Sequence, residues 1–333
     1  MVDVAVVTGA GAGVGRAVAR EFARRGCDVG LLGRNRARLE AAAEEVRRMG
    51  VRASVAIADV ADADAVEAAA EQIENELGPI TIWVNNAMAT VFSPVAEITA
   101  AEMKRATEVT YLGTVHGVMC ALKRMRRRGK GVIINVGSAL AYRSVPLQAA
   151  YCGAKSAIRG FTDSLRSEII HDGDDIHLTM VHLPAVNTPQ FDWAENRIGK
   201  RAQPVPPIFE PSVPAGAIVR AAFNKRRETW VGFSTVTAIL GNRIAAGWID
   251  RYLAKHGYSS QIGKEPLPHD APSNLFHTVD GDWAAEGRFR DQARSASFEV
   301  FTDRHKVAAL AIAAGVIGLG AAQLVSDRLS NKC

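Results

Sequence analysis

The stretch Asp3-Val-Ala-Val-Val7-Thr8-Gly9-Ala10-Gly11-Ala12-Gly13-Val14-Gly15 decides the reading of this chain. A β-branched apolar run enters a glycine-rich turn, and a helical pattern begins at once. In that arrangement the backbone N–H groups and the positive end of the helix dipole are aimed at one point, where a pyrophosphate can sit. The glycines let the chain turn sharply and come close to such a group. A glycine-rich turn alone is a weak signal, because glycine also serves tight turns for steric reasons. The strand before it and the helix after it give the turn its weight.

Working outward, short apolar β-branched runs alternate with helical patterns to about residue 190. Strands are expected at 3–7, 28–32, 52–58, 80–84, 131–136 and 176–182, and helices at 13–25, 36–49, 62–77, 101–128 and 148–171. That alternation predicts βαβ units and an α/β fold: a Rossmann-type, doubly wound parallel sheet with helices on both faces. Ligands of such sheets bind beyond the carboxyl ends of the strands. Residues 188–214 change character, with Pro189, Pro204, Pro206, Pro207, Pro211 and Pro214 around Phe191, Trp193 and Phe209. A loop this long inside a domain is usually functional, and it reads as a substrate lid. One more strand is expected at 227–232, closing a catalytic domain over 1–232. A mainly helical C-terminal extension follows over 233–303, interrupted by Pro and Gly between 261 and 287. An apolar helix is expected over 304–333.

Composition sets outer limits. The chain of 333 residues can bury a full core without staples, and its four cysteines, Cys27, Cys120, Cys152 and Cys333, form no C-x-x-C pair. No metal site is expected, since the eight histidines show no metal-ligand spacing. The N-terminus lacks the basic and long apolar regions of a secretory signal, so a cytoplasmic catalytic domain is expected. The net charge of +5 is modest, and the basic run from Lys123 to Lys130 falls at the end of an expected helix, where cations are stabilised by the negative end of the dipole. No nucleic-acid partner is expected, because no aromatic residues interleave with that run.

The second strand ends in Gly33-Arg34-Asn35. A carboxylate there would bond a ribose 2′-hydroxyl, whereas a cation suits the 2′-phosphate of NADP. Arg34 therefore points to NADP(H) over NAD(H). Asp59, closing the third strand, can accept from an adenine amino group. Tyr151-Cys-Gly-Ala-Lys155 puts a phenol and an ammonium one helical turn apart, on one face. A phenol working near neutrality needs its pKa lowered by about 2 to 3 units, and a neighbouring Lys⁺ with a cationic nicotinamide would provide that. Ser138, just past a strand, can hydrogen-bond a substrate oxygen.

Taken with Asn85-Asn86-Ala87 after the fourth strand, these motifs resemble the short-chain dehydrogenases/reductases. The resemblance rests on Thr8-Gly9-x-x-x-Gly13-x-Gly15, Asp59-Val60, Asn85-Asn86-Ala87, Ser138 and Tyr151-x-x-x-Lys155, and covers residues 1 to about 232. It implies an NADP(H)-dependent oxidoreductase moving a hydride between the nicotinamide and a carbonyl or alcohol. Tyr151 would be the acid/base and Ser138 would position the substrate oxygen. Lys155 would hold the nicotinamide ribose and lower the tyrosine pKa. Gly9, Ala12, Gly13, Val14 and Gly15 would surround the pyrophosphate, Asp59 and Val60 the adenine, Asn86 and Ala87 the adenosine ribose, and Thr188 the carboxamide. Thr110 stands where the family often has an Asn whose backbone carbonyl holds a proton-relay water. Met88 stands where a Gly is usual, and Ala185 replaces the Gly of the Pro184 loop. The resemblance also implies a homodimer or homotetramer through the two long helices.

Val307 to Ala322 is unbroken apolar residue or glycine, and the stretch to Val325 spans about 28 Å as a helix, close to the hydrocarbon thickness of a bilayer. Ala314, Gly318 and Ala322 form a small-residue ladder. A membrane anchor with the catalytic domain on the cytoplasmic side is expected, the alternative being a helix buried in an oligomer. The lid aromatics suggest a bulky lipophilic carbonyl substrate. Two other functions compete: a catalytically silent, NADP(H)-binding redox sensor, against which the intact Ser138, Tyr151 and Lys155 weigh, and an epimerase or dehydratase, whose relatives carry a differently spaced glycine motif.

Overall fold

The structure is a computed structural model and describes residues 2–297. Seven parallel strands form one sheet: β1 (Val4–Thr8), β2 (Asp28–Gly33), β3 (Ala53–Ile57), β4 (Ile82–Asn85), β5 (Lys130–Ser138), β6 (Asp175–Leu183) and β7 (Glu228–Trp230). Their order across the sheet is β3-β2-β1-β4-β5-β6-β7. The direction reverses at β1, whose Val7 pairs with Leu31 on one side and Val84 on the other. The glycine turn leaves from that crevice, which is where the topology opens a ligand cleft.

Strands buried on both faces must be apolar almost throughout, as β1 is. One core lies under α1 (Gly13–Arg24), α2 (Arg36–Arg47) and α8 (Ser212–Phe223), around Phe22, Leu39 and Ile218. The other lies under α3 (Ala63–Leu77), α5 (Gly113–Arg128) and α6 (Ala149–Asp172), around Ile73, Trp83 and Met125. A fully buried Leu, Ile or Phe contributes about 1.5–3 kcal/mol, so uncovering a few on either face would exhaust a domain's net stability. Both helix layers are required. Local signals set their ends. Asn35 caps α2 by accepting from the Arg38 N–H, Asp62 caps α3, and glycines 129 and 173 stop α5 and α6 in the left-handed region.

The expected single helix over 101–128 is instead α4 (Ala100–Thr107), a π-helical turn at Glu108–Leu112, and α5. Thr110 is the cause. Its buried hydroxyl accepts from the Ala89 N–H and donates to the Ala89 carbonyl, both at 2.9 Å. Held to that loop, the turn widens by one residue before the helix resumes.

The lid begins with α7 (Gln190–Trp193) and continues in short strands. Lys200–Ala202 pairs with Ile262–Pro266, and Ile208–Phe209 lies between Ala185–Val186 and Ala293–Arg294. The C-terminal extension supplies both of those later partners. It has helix in α9 (Phe233–His256), bent where Ala245 leaves the helical region. Beyond α9 it is a largely irregular strap that runs back across the carboxyl edge of the sheet. The apolar stretch from Val307 to Val325 lies outside the described residues. Among the described residues no helix is long and apolar enough to cross a membrane.

Candidate active site

Tyr151 and Lys155 lie in the first two turns of α6, beside the carboxyl end of β5 that carries Ser138. The Lys155 ammonium is buried and donates to the Val136 carbonyl at 2.6 Å, with its nitrogen 5.6 Å from the centre of the Tyr151 ring. Ser138 accepts from the Leu140 N–H at 3.1 Å, and its nearness lowers the pKa of the Tyr151 phenol. Behind Ser138, the His182 Nδ1 lies 3.2 Å from the Ser138 carbonyl, and its Nε2 lies 3.5 Å from Glu228. Tyr142 and Trp230 donate to the same carboxylate at 2.7 and 3.1 Å. Hydrogen bonding by His182, Tyr142 and Trp230 holds the Glu228 carboxyl well below the usual carboxylate range.

The three catalytic candidates are therefore together, in a strongly desolvated setting. Burial pushes the Tyr151 phenol up to about 12, against the lowering effect of Ser138. Burial also brings the Lys155 ammonium down to about 8. Desolvation dominates both shifts, and the ammonium is turned to a carbonyl on β5. Thr110 is near but separate, in the π-turn, where its carbonyl accepts from the Thr114 hydroxyl at 2.9 Å.

One cavity of about 690 Å³ joins this cluster to the glycine turn. It touches Gly9, Ala12, Gly13, Val14, Arg34, Asp59, Val60, Asn86, Ala87 and Thr188, so these candidates line a common space with Ser138, Tyr151 and Lys155. Gly15 does not line it and has a packing role. A Cβ there would lie 2.2 Å from the Gly9 carbonyl and 2.6 Å from the Asn86 side-chain nitrogen. Asn86 Nδ2 also donates to the Thr8 carbonyl, and the Thr8 hydroxyl accepts from the N–H groups of Asn86 and Ala87. These bonds fix the turn close to the helix N-terminus, the position a pyrophosphate requires. The residues fit a dinucleotide.

At the adenosine end the strap takes partners that the sequence had left free. The Arg34 guanidinium donates to the carbonyls of Asn274, Leu275 and Phe276 and to the Asn274 side chain. Asp59 pairs with Arg105, which also donates to the Leu275 carbonyl at 3.1 Å. The Gly13 N–H donates to the Ala284 carbonyl at 3.0 Å, and Arg16 pairs with Asp282. Asn187 holds the strap's far end, its side-chain oxygen accepting from the Phe289 N–H at 2.9 Å. Sequence reasoning missed Arg38, Arg105, Asn187 and the strap itself. Its available signal was Phe276, Trp283 and Phe289 set in an otherwise polar, irregular stretch. Trp248 and Tyr252 of α9 also line the substrate end of the cavity.

Comparison with known proteins agrees with this geometry. Residues 3–197 match the family described as short chain dehydrogenase. The chain is 29% identical over 323 residues to the uncharacterized oxidoreductase YxnA of Bacillus subtilis, covering 96% of this chain and 90% of that protein, extension included. An alcohol dehydrogenase from the archaeon Thermococcus sibiricus, solved with 5-hydroxy-NADP, is 26% identical with a TM-score of 0.60, covering 69% of this chain and 96% of that one. A short-chain dehydrogenase/reductase from Burkholderia phymatum, solved with NAD, has the same fold at 22% identity and a TM-score of 0.67, covering 75% and 95%. With the motif residues gathered around one cleft, the chain belongs to the short-chain dehydrogenase/reductase family and is an NAD(P)-dependent oxidoreductase acting on CH–OH and C=O groups.

Proposed function

We propose that the protein is an NADP(H)-dependent reductase of bulky, lipophilic carbonyl compounds, with Tyr151 as its proton donor. One observation carries the reading: Ser138, Tyr151 and Lys155 line the same cavity as the glycine turn. The dinucleotide supplies or accepts the hydride. Tyr151 gives its phenolic proton to the substrate oxygen as negative charge develops there, and the Ser138 hydroxyl donates a second hydrogen bond to that oxygen. A phenol pushed up to about 12 stays protonated at neutral pH, the form that reduction consumes. Lys155 and the Thr110 carbonyl would serve the path by which the proton is replaced. That Ser138, Tyr151 and Lys155 line one cavity favours chemistry over a silent binding role.

A carboxylate-free end of β2, with Arg34 and Arg38 close by, supports NADP(H) over NAD(H). The substrate end is lined by Phe92, Phe191, Val205, Trp248 and Tyr252, which supports a lipophilic substrate. Purified protein with NADPH and a panel of ketones and aldehydes tests the reading. Turnover of the bulky members is expected, with Tyr151→Phe binding NADPH normally and losing activity. Turnover that survives in Tyr151→Phe, or is confined to small polar substrates, would sink it.

We also propose a homodimer or homotetramer through α5 and α6, where Met119 and Ile170 are exposed, checked by light scattering. A cytoplasmic catalytic domain tethered through Val307 to Val325 is checked by ultracentrifugation of lysate. Full-length protein that stays in the high-speed supernatant while active would refute the tether.

A further inference from the structure

We propose that Arg38, rather than Arg34, is the cation that receives the 2′-phosphate of the dinucleotide; this rests on the dinucleotide reading above. Arg34 occupies the expected place at the end of β2, but both of its terminal nitrogens are committed. Nη1 donates to the Leu275 and Phe276 carbonyls at 3.4 and 3.1 Å, and Nη2 to the Asn274 carbonyl and side chain. Arg34 fastens the strap and has little left for a phosphate.

Arg38 is in the opposite state. It is only 6% exposed, yet its guanidinium makes no hydrogen bond or ion pair with any described residue. It stacks over the Trp193 ring, 4.7 Å from the centroid, and lines the cavity. A guanidinium that faces the cavity with no protein acceptor is placed to receive an anion there. The ring contact leaves the planar edge of the guanidinium free, and that edge matches a phosphate bidentately. Its position also fits. The Arg38 backbone and Cβ pack on Gly11 of the glycine turn, one turn of α2 beyond Gly33 and Arg34. Asp280 and Asp282 of the strap favour its charge, but Asp282 is paired with Arg16 and neither carboxylate reaches Arg38.

The assignment divides labour between two arginines four residues apart. Arg34 determines whether the strap is closed, and Arg38 determines which dinucleotide is preferred. Full-length protein is titrated with NADPH, NADH, 2′,5′-ADP and 5′-AMP, following binding by calorimetry, for wild type, Arg38→Met, Arg38→Gln and Arg34→Met. Wild type is expected to prefer the two 2′-phosphorylated ligands. Arg38→Met should lose about 30-fold in affinity for both while NADH stays within about twofold, the loss expected for a charge-assisted phosphate contact. Arg34→Met should keep the preference. If Arg38→Met melts early, Arg38→Gln and crystals soaked with 2′,5′-ADP answer instead, the phosphate being expected within hydrogen-bond distance of Arg38. A preference that survives in folded Arg38 variants, disappears in Arg34→Met, or is absent from wild type overturns the assignment. Wild type that binds no dinucleotide at all would strike at the functional reading itself.

Discussion

Lys155 keeps its ammonium buried against the Val136 carbonyl, with no carboxylate paired to it among the described residues, and this has a measurable cost. Its pKa falls from 10.5 to about 8 through burial. Between those values the unfolded chain holds the proton and the folded chain releases it, so stability rises with pH across that window. The penalty is fully present below about 8. Relative to Lys155→Met, wild type should therefore gain up to about 3 kcal/mol between pH 7 and pH 10.5. Chemical denaturation of both at the two pH values measures this, and a difference that does not move with pH would contradict it. At this scale the sequence was legible where a residue type carries its own chemistry: Tyr151, Ser138 and Lys155 are where the motif implied. The desolvation of the tyrosine was not legible, because spacing along a helix does not reveal how deeply a phenol is buried. Arg34 and Asp59 illustrate the same limit, since their partners lie far away in sequence or on another helix.

The elements were read well wherever periodicity alone decides them. Strands β1 to β6 and the helices between them follow the expected spans closely, since runs buried on both faces and amphipathic helices leave distinct patterns. The π-turn between α4 and α5 escaped because inserting one wide turn barely disturbs apolar spacing. Its cause is a single hydroxyl, which makes it testable. Thr110→Val removes the partner of both the Ala89 N–H and its carbonyl, two buried groups, and should cost about 2–4 kcal/mol in urea unfolding. Thr110→Ser should recover most of it. Equal stability of all three proteins would show that the turn is held by something else.

Across the whole molecule, the least legible part is the cover over the cleft, because an irregular chain has no period to read. Lid and strap are fastened to each other as well as to the domain. Trp193 meets Trp283 edge to face at 5.2 Å, Phe191 meets Phe289 at 5.8 Å, Arg288 pairs with Asp192, and the Asn274 N–H donates to the Trp193 carbonyl at 2.8 Å. Trp283→Ala should loosen this fastening, speeding NADPH release in stopped flow by about tenfold, as expected for losing an aromatic contact with its buried area. It should also open residues 267–289 to limited proteolysis. Release and cleavage unchanged from wild type would argue against a shared cover. Because Trp193 rests on Arg38 with one side and on the strap with another, whatever free energy a bound carbonyl compound gains by keeping the lid shut also holds the dinucleotide in place. Linkage then demands reciprocity: a substrate analogue should tighten NADPH binding by the same factor by which NADPH tightens the analogue.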